Sequence, residues 1–174
     1  MKKRWLFAII AVMAALAAGW YVFSAVQGGI NELNKGQNRA KSAVISGGML
    51  VSADKVTTFN GPYPGSDNKP ASYYAVHGIN SKGKESVALL PARDLGAKPA
   101  VLELSAGITA KQAENLAEKN YSPRKMISSK MGILMQKESR VPVWEVKYID
   151  SYDRYTYDYY EFKTGKLLAH YAVK

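Results

Sequence analysis

An uncharged, apolar run near the start of the chain constrains its fold most. Residues 5–26, WLFAIIAVMAALAAGWYVFSAV, contain no charged side chain over 22 positions. As a helix, this run would be about 33 Å long, enough to cross a hydrocarbon core of about 30 Å. Three basic residues at positions 2–4 precede it, and basic flanks favour the cytoplasmic side. The sequence therefore predicts a single-pass membrane anchor over residues 1–26, with residues 27–174 outside the cytoplasm.

A cleaved secretory signal is the alternative interpretation of this segment. Ala15-Leu16-Ala17 matches the A-x-A pattern of a cleavage site. Cleavage there would leave the apolar sequence GWYVF at the new terminus, and the run is longer than the usual h-region of about 7 to 15 residues. Residues 27–174 are exported in both interpretations. The chain has no Cys, so its fold depends on a packed core and not on disulfides.

Residues 27–95 have the pattern of a first α+β module. Gly28-Gly29 is predicted to loosen the joint with the anchor, and apolar residues then recur at helical spacing, at Ile30, Leu33, Ala40 and Val44. The sequence predicts a hairpin at Ser81-Lys82-Gly83 and a loop over the Pro-rich segment GPYPGSDNKP at 61–70. Short strands are expected at 55–60, 72–80 and 85–91.

Residues 96–174 have the pattern of a second module, which begins after breaker residues. Thr109 and Gln112 have the spacing of a capping box, and Tyr121-Ser122-Pro123 is predicted to end the helix that follows. Thr164-Gly165 has the composition of a turn between the last two strands. Strands are expected at 125–136, 141–150, 154–162 and 166–173.

The alternation of one of these strands predicts how the second module packs. Trp144, Val146 and Tyr148 fall on one face of the strand, and the other face has Val141, Val143, Glu145 and Lys147. We expect the Trp144 face to be the covered side of an antiparallel sheet, with the helix packed across it.

The two modules also resemble each other in sequence. Residues 74–84 align with residues 144–154 at a constant offset of 70 positions. This similarity is typical of a duplicated α+β unit, and chance similarity between two amphipathic strands is the alternative.

A search for catalytic or metal-binding motifs gives no candidate site. The chain has two His, His77 and His170, and lacks both Cys and an H-E-x-x-H pair. S-x-x-K from Ser52, S-D-N from Ser66 and K-T-G from Lys163 match serine β-lactamase triplets, but the first two lie too close together for that fold. The acidic residues between 145 and 161 alternate with basic ones, which favours charge pairs on a solvated face. We therefore expect a protein without cofactor, metal or enzymatic activity.

Binding is the remaining route to function. Seven of the 12 Tyr lie between residues 148 and 171, and an alternating strand cannot bury all of them on one side. Exposed Tyr favours contacts with proteins or sugars. The alternative is that Tyr is common in this region because it suits strands. The exported part has 21 basic and 14 acidic residues, so an anionic wall polymer is a further candidate partner, whereas scattered charges argue against nucleic acid. The candidate protein-binding surface comprises Tyr152, Arg154, Tyr155, Tyr157 and Tyr159.

Several short motifs carry a resemblance to a known family. PVWEVKYID at 142–150 and YDYYEFKTGKLL at 157–168 resemble the closing hairpins of a PepSY domain. The wider order resembles the TseB-like, or YpmB-like, family of single-pass envelope proteins. After an anchor and a helix it contains KVTTFNG, SYYAVHGINSKGK, LPA, ITAKQA and WEVKY.

The resemblance implies a fold and a function. The fold would be α+β, with an N-terminal transmembrane helix followed by two tandem cystatin-like or PepSY-like modules at 27–95 and 96–174. The first would be similar to the N-terminal module of the TseB-like family. The function would be regulation of cell-wall elongation outside a Gram-positive cell membrane through a penicillin-binding protein. A PepSY-type peptidase inhibitor or chaperone-like module is the alternative, and the family pattern contributes no catalytic residue.

Overall fold

The N-terminal part of the chain is one long helix. The computed structural model describes residues 2–64, 70–136 and 139–173, without the side chains of residues 2–12, 14, 15, 30, 33, 63, 64 and 70. Helix α1 spans Lys2–Ser46. It runs unbroken through Gly28-Gly29, so the predicted loosening there is wrong. A Cβ on either glycine would meet no atom within 4 Å, and a helix tolerates such glycines at a modest cost.

The predicted anchor falls largely on residues whose side chains are outside this description. In the described part of the chain, no helix combines the length and the apolar character that a membrane crossing requires. The chain divides into two compact units, residues 1–38 and residues 39–174. Both β-sheets lie in the second unit.

In the described part of this unit, eight strands form two antiparallel sheets of four strands each. Each sheet is a meander with its strands in chain order. The first comprises β1 (Ser52–Pro64), β2 (Pro70–Ile79), β3 (Glu85–Pro91) and β4 (Ala100–Glu103). The second follows helix α2 (Ala110–Tyr121) and comprises β5 (Lys125–Gln136), β6 (Ser139–Ile149), β7 (Tyr155–Glu161) and β8 (Leu167–Val173).

The strand prediction needs two corrections in the first sheet. Residues 61–64, predicted as loop, continue β1, because edge strands accept proline where its missing N–H would face outward. The rest of that predicted loop, residues 65–69, lies outside the described residues. Strand β4 was not predicted, because it is short and follows Lys98-Pro99; it pairs with β3 in register Ala88↔Val101, so the first sheet extends to Glu103.

The first sheet is covered on both faces. On one face, Ala40 and Val44 from the end of α1 pack with Val76 and Leu90, as their predicted helical spacing requires. Ile30 and Leu33, predicted on the same stripe, have side chains outside the described residues. The opposite face of the sheet carries Phe59, which belongs to the larger core between the two sheets.

The second sheet is covered by α2 on one face and by the first sheet on the other. The capping box is confirmed: the backbone N–H of Gln112 donates to Thr109 Oγ1 (3.2 Å), and Gln112 Oε1 accepts from the backbone N–H of Thr109 (2.8 Å). Trp144 lies on the helix face and donates its indole N–H to the carbonyl of Ile108 (2.8 Å). The helix ends at Tyr121, and Ser122 caps it in the left-handed region, as predicted.

Strand β6 is buried on both faces, so the expectation that one face of the sheet is exposed to solvent is wrong. Val143 and Glu145 alternate with Trp144 yet are 0% and 7% exposed. The reason is the close approach of the first sheet, where the Phe59 ring lies directly over Gly132. A Cβ at Gly132 would come within 2.1 Å of that ring. The two sheets therefore share one core.

Candidate functional site

A cleft of about 520 Å³ lies between strand β1 and the second sheet. Its volume is in the range of small-ligand and peptide-side-chain pockets. One wall is the edge of β1, at Thr58, Asn60 and Pro62. The other is the face of the second sheet opposite α2, which contributes Val173 and seven polar or aromatic side chains: Ser128, Lys130, Glu145, Lys147, Tyr157, Tyr159 and Tyr171.

A buried carboxylate occupies the base of this cleft. Glu145 pairs across the sheet with Lys130 on β5 and with Tyr159 on β7. Its Oε2 accepts a hydrogen bond from the Tyr159 hydroxyl at 2.9 Å. Burial raises the pKa of Glu145, while this hydrogen bond and the charges of Lys130 and Lys147 oppose that rise. The same burial, next to a carboxylate, raises the pKa of Tyr159.

A lysine flanked by two tyrosine rings lies next to this carboxylate. The Lys147 ammonium is 4.8 Å from the Tyr155 ring centroid and 5.1 Å from that of Tyr157. Each distance is in the range of a cation–π interaction. These contacts hold the lysine over the sheet face while leaving its ammonium without a carboxylate partner among the described ion pairs.

The five residues of the predicted binding surface are placed differently from one another. Tyr157 and Tyr159 line the cleft, and Tyr155 contacts it through Lys147. Tyr152 is 77% exposed in the β6–β7 turn, where the Arg154 guanidinium lies 5.1 Å from its ring centroid. Arg154 itself is bound to Asp150.

One of these residues is not the exposed side chain that the prediction requires. Tyr159 is only 2% exposed, because its ring packs edge-on against Phe59 and Tyr171. Whether the remaining four residues bind a protein stays a prediction.

The charged residues and the β1 wall of the cleft were not predicted from the sequence. Alternation did place Glu145 and Lys147 on one face, but they were interpreted as a solvated charge pattern. The cross-strand register puts Lys147 opposite Tyr157 and Glu145 opposite Tyr159, and a hairpin alignment of β6 with β7 would have shown this. Nothing in the sequence indicated that Asn60 would approach that face.

A second polar cluster lies on the helix side of the same sheet. Asp158 is fully buried, and its Oδ2 accepts from the Tyr148 hydroxyl at 3.0 Å and the Tyr160 hydroxyl at 3.1 Å. Its Oδ1 is 2.6 Å from Nδ1 of His170, whose ring stacks on Tyr121. Burial raises the pKa of Asp158, and these donors oppose the rise. The interpretation of Asp158 as part of a wet face is therefore wrong, because α2 covers this face.

No group of three or more His, Asp or Glu among the described residues could hold a metal ion. Ser66 of the lactamase-like triplets lies outside the described residues. Lys163-Thr164-Gly165 is a turn, as predicted, in which Gly165 has φ +73° and Thr164 Oγ1 accepts from the backbone N–H of Lys166.

The fold and the cleft together define an α+β protein with two four-stranded antiparallel meanders, each preceded by a helix. The chain is 28% identical over 167 residues, 96% of each protein, to the probable cell wall elongation regulator TseB of Bacillus subtilis (strain 168). Its structure is similar to that of the YpmB protein from Bacillus subtilis, with a TM-score of 0.58, 29% identity, and coverage of 72% of this chain and 88% of that one. No family model matches the chain. The resemblance to the TseB-like, or YpmB-like, family is thus confirmed.

Proposed function

We propose that this chain regulates cell-wall elongation at the outer face of the cell membrane by binding a penicillin-binding protein. The observation that carries the proposal is the similarity to a probable cell wall elongation regulator over 96% of both chains. A similarity of that extent includes both sheet modules and the N-terminal segment, so it concerns the whole architecture and not one common motif.

The uncharged run over residues 5–26, with its basic flank, supports a membrane anchor in this proposal. An anchor restricts the modules to the membrane surface and raises their effective concentration near membrane-bound wall synthases. A weak contact between a module and a synthase is then sufficient for regulation. Fractionation of cells tests this part: the intact chain should sediment with membranes, and an external protease should digest residues 27–174.

The cleft supports action by binding. It presents tyrosine rings and two lysines on a rigid sheet, and aromatic residues are enriched in protein interfaces. A regulator of this construction would change the synthase by occupying its surface.

Affinity purification of the full-length tagged chain from solubilised membranes tests the proposal. A penicillin-binding protein, identified by labelling with a fluorescent penicillin, should be recovered with the chain. The matched control is the same chain with Ala11→Asp and Ala14→Asp, which removes the apolar character of the predicted anchor. This control should recover much less of the synthase. Recovery of ribosomal proteins and chaperones alone, together with slowing of envelope proteases by the chain, would contradict the proposal and favour the peptidase-inhibitor alternative.

A further inference from the structure

Strand β1 forms an edge of its sheet, and no strand of the described residues pairs with its outer side. An edge strand leaves alternate backbone N–H and C=O groups without a partner. The hydrogen bonds of β2 show which residues of β1 carry these unpaired backbone groups.

The even-numbered residues of β2 direct their backbone groups toward β3. At the two ends of that hairpin, the N–H of Asn80 donates to Lys84 O (3.0 Å), and the N–H of Ala92 donates to Ser72 O (2.8 Å). Because bonded and non-bonded pairs alternate in an antiparallel ladder, the odd-numbered residues of β2 bond to β1. Tyr73, for example, pairs with Phe59.

The backbone groups of Thr58 and Asn60 therefore point away from β2, out of the sheet edge. Among the described residues, no backbone or side-chain hydrogen bond satisfies them. These are the residues that form the β1 wall of the cleft. The cleft thus offers a row of alternating backbone donors and acceptors along one side.

The opposite wall of the cleft is positively charged. Lys130 and Lys147 both line it, against one acidic side chain in the described lining, Glu145. That carboxylate is already bound to Tyr159 and is 7% exposed. The ligand-facing charge is therefore positive, and a carboxylate of the ligand would complement it.

We propose that the cleft binds an extended, acidic segment of a protein partner, which pairs with the free edge of β1 and directs an Asp or Glu side chain to Lys130 and Lys147. An extended polypeptide satisfies both the donors and the acceptors of the edge, as in β-strand addition. An anionic wall polymer lacks the amide N–H groups that repeat along a strand and pair with such an edge. A second copy of this chain, with net charge +10, would add positive charge to a wall that is already positive. This inference rests on the proposed function only for the identity of the partner as a wall synthase.

Selection of displayed peptides against the full-length chain in detergent micelles tests the inference. A random 12-residue peptide library is the probe, and we expect the selected sequences to be enriched in Asp and Glu between β-branched residues. Their affinity is then measured against variants by fluorescence anisotropy. Glycerol-phosphate polymer serves as competitor, and effective competition by it would overturn the choice of a peptide ligand.

Two matched pairs of variants locate the binding. Asn60→Pro removes the outward N–H without breaking a backbone hydrogen bond to β2, whereas Asn60→Ala keeps that N–H. Both variants lose the side-chain bond in which Asn60 Oδ1 accepts from the Ser72 hydroxyl, so they differ in the N–H. We expect Asn60→Pro to weaken peptide binding about tenfold and Asn60→Ala to change it less than about twofold. Lys130→Glu with Lys147→Glu should weaken binding more than tenfold, with a smaller effect at high salt. Lys119→Glu on α2, across the sheet from the cleft, should have no effect.

Equal affinity of the selected peptides for Asn60→Pro and Asn60→Ala would overturn the strand-addition geometry. Equal affinity of the peptides for the double lysine variant and for Lys119→Glu would overturn the claim that the ligand is acidic. This second comparison still tests the inference if Asn60→Pro does not fold. The proposed function fails separately. If all these variants still recover a penicillin-binding protein, the proposed function is supported and the inference is overturned. If peptides bind in the cleft but no synthase is recovered, the inference is supported and the proposed function is overturned.

Discussion

Asn80 and Asp150 make the same hydrogen bonds in the two modules. Asn80 Oδ1 accepts from the backbone N–H groups of Lys82 (2.9 Å) and Lys84 (3.0 Å). Asp150 Oδ1 accepts from those of Tyr152 and Arg154, at 2.9 Å each. The offset of 70 positions in the sequence is therefore also an equivalence of turns, each between the second and third strand of a meander. This equivalence favours duplication over chance similarity.

The two turns differ in charge, and this difference predicts a pH effect. Burial opposes ionisation of Asp150, but hydrogen bonds from Arg154 and Tyr152 outweigh it and lower its pKa from 3.8 to about 2. A lowered pKa contributes stability that is present above the unfolded value and is lost as the pH falls toward the folded one. Asp150→Asn should flatten the loss of stability between about pH 4 and pH 2, as measured by urea denaturation.

Asn at position 150 keeps the two backbone contacts, as Asn80 does, so Asp150→Asn should be destabilised less at pH 7 than Asp150→Ala. An unchanged acid profile in Asp150→Asn would contradict the assignment of the low pKa to this carboxyl.

The contact between Phe59 and Gly132 predicts that the shared core cannot accommodate a methyl group added at Gly132. Gly132→Ala would place a Cβ within 2.1 Å of the Phe59 ring, so it should lower the free energy of unfolding by at least about 1 to 3 kcal/mol. Gly28→Ala is the control, since its Cβ would contact nothing within 4 Å, and it should be neutral or slightly stabilising. Chemical denaturation measures both.

A double-mutant cycle separates this clash from a general loss of stability. Phe59→Leu should make Gly132→Ala less costly than it is in the wild-type chain. Additive effects of the two substitutions would show that the ring does not lie over Gly132.

The hydrogen bond from Tyr159 predicts the ionisation of Glu145. Tyr159→Phe removes a donor that favours the carboxylate, so the already raised pKa of Glu145 should rise further. Lys130→Gln should act in the same direction by removing a positive charge. NMR titration of the Glu145 side chain measures both shifts, with Lys119→Glu as a control that should leave the pKa unchanged.

The raised pKa of Glu145 determines how its contribution to stability changes with pH. An acid with a raised folded pKa favours folding at low pH, and this contribution is lost as the pH rises through the folded value. Glu145→Gln should therefore be more favourable relative to wild type at pH 7 than at pH 4. The opposite order in urea denaturation would mean that the carboxylate is better solvated than its 7% exposure indicates.

The capping box predicts the contribution of one side chain to helix α2. Thr109→Ala removes the acceptor for the Gln112 N–H and should cost about 1 kcal/mol of unfolding free energy. Thr109→Ser retains the hydroxyl and should be close to wild type. A loss of the same size in both variants would place the effect in the packing of the Thr109 methyl group and not in the cap.

Local signals were sufficient for most secondary structure. The capping box at Thr109, the end of the helix at Ser122 and the turn at Gly165 each depend on side chains within a few positions of one another. A glycine with φ +73° also closes the Ser81-Lys82-Gly83 connection, as its composition predicts. The unbroken helix at Gly28-Gly29 shows the limit of such signals, since a glycine pair weakens a helix without ending it.

The burial of both faces of β6 and the cleft beside β1 depended on contacts that are distant in the chain. Glu145 alternates with Trp144 in the way of a solvent-facing residue, and only the packing of Phe59 against Gly132 brings the first sheet over it. The sequence by itself determined where the helices, strands and turns lie, because those are decided by backbone conformation and periodicity over a few residues. Only the tertiary structure decided which faces of the sheets are buried and where a ligand could bind. The reason is that the packing of one sheet on another depends on shape complementarity between residues far apart in sequence.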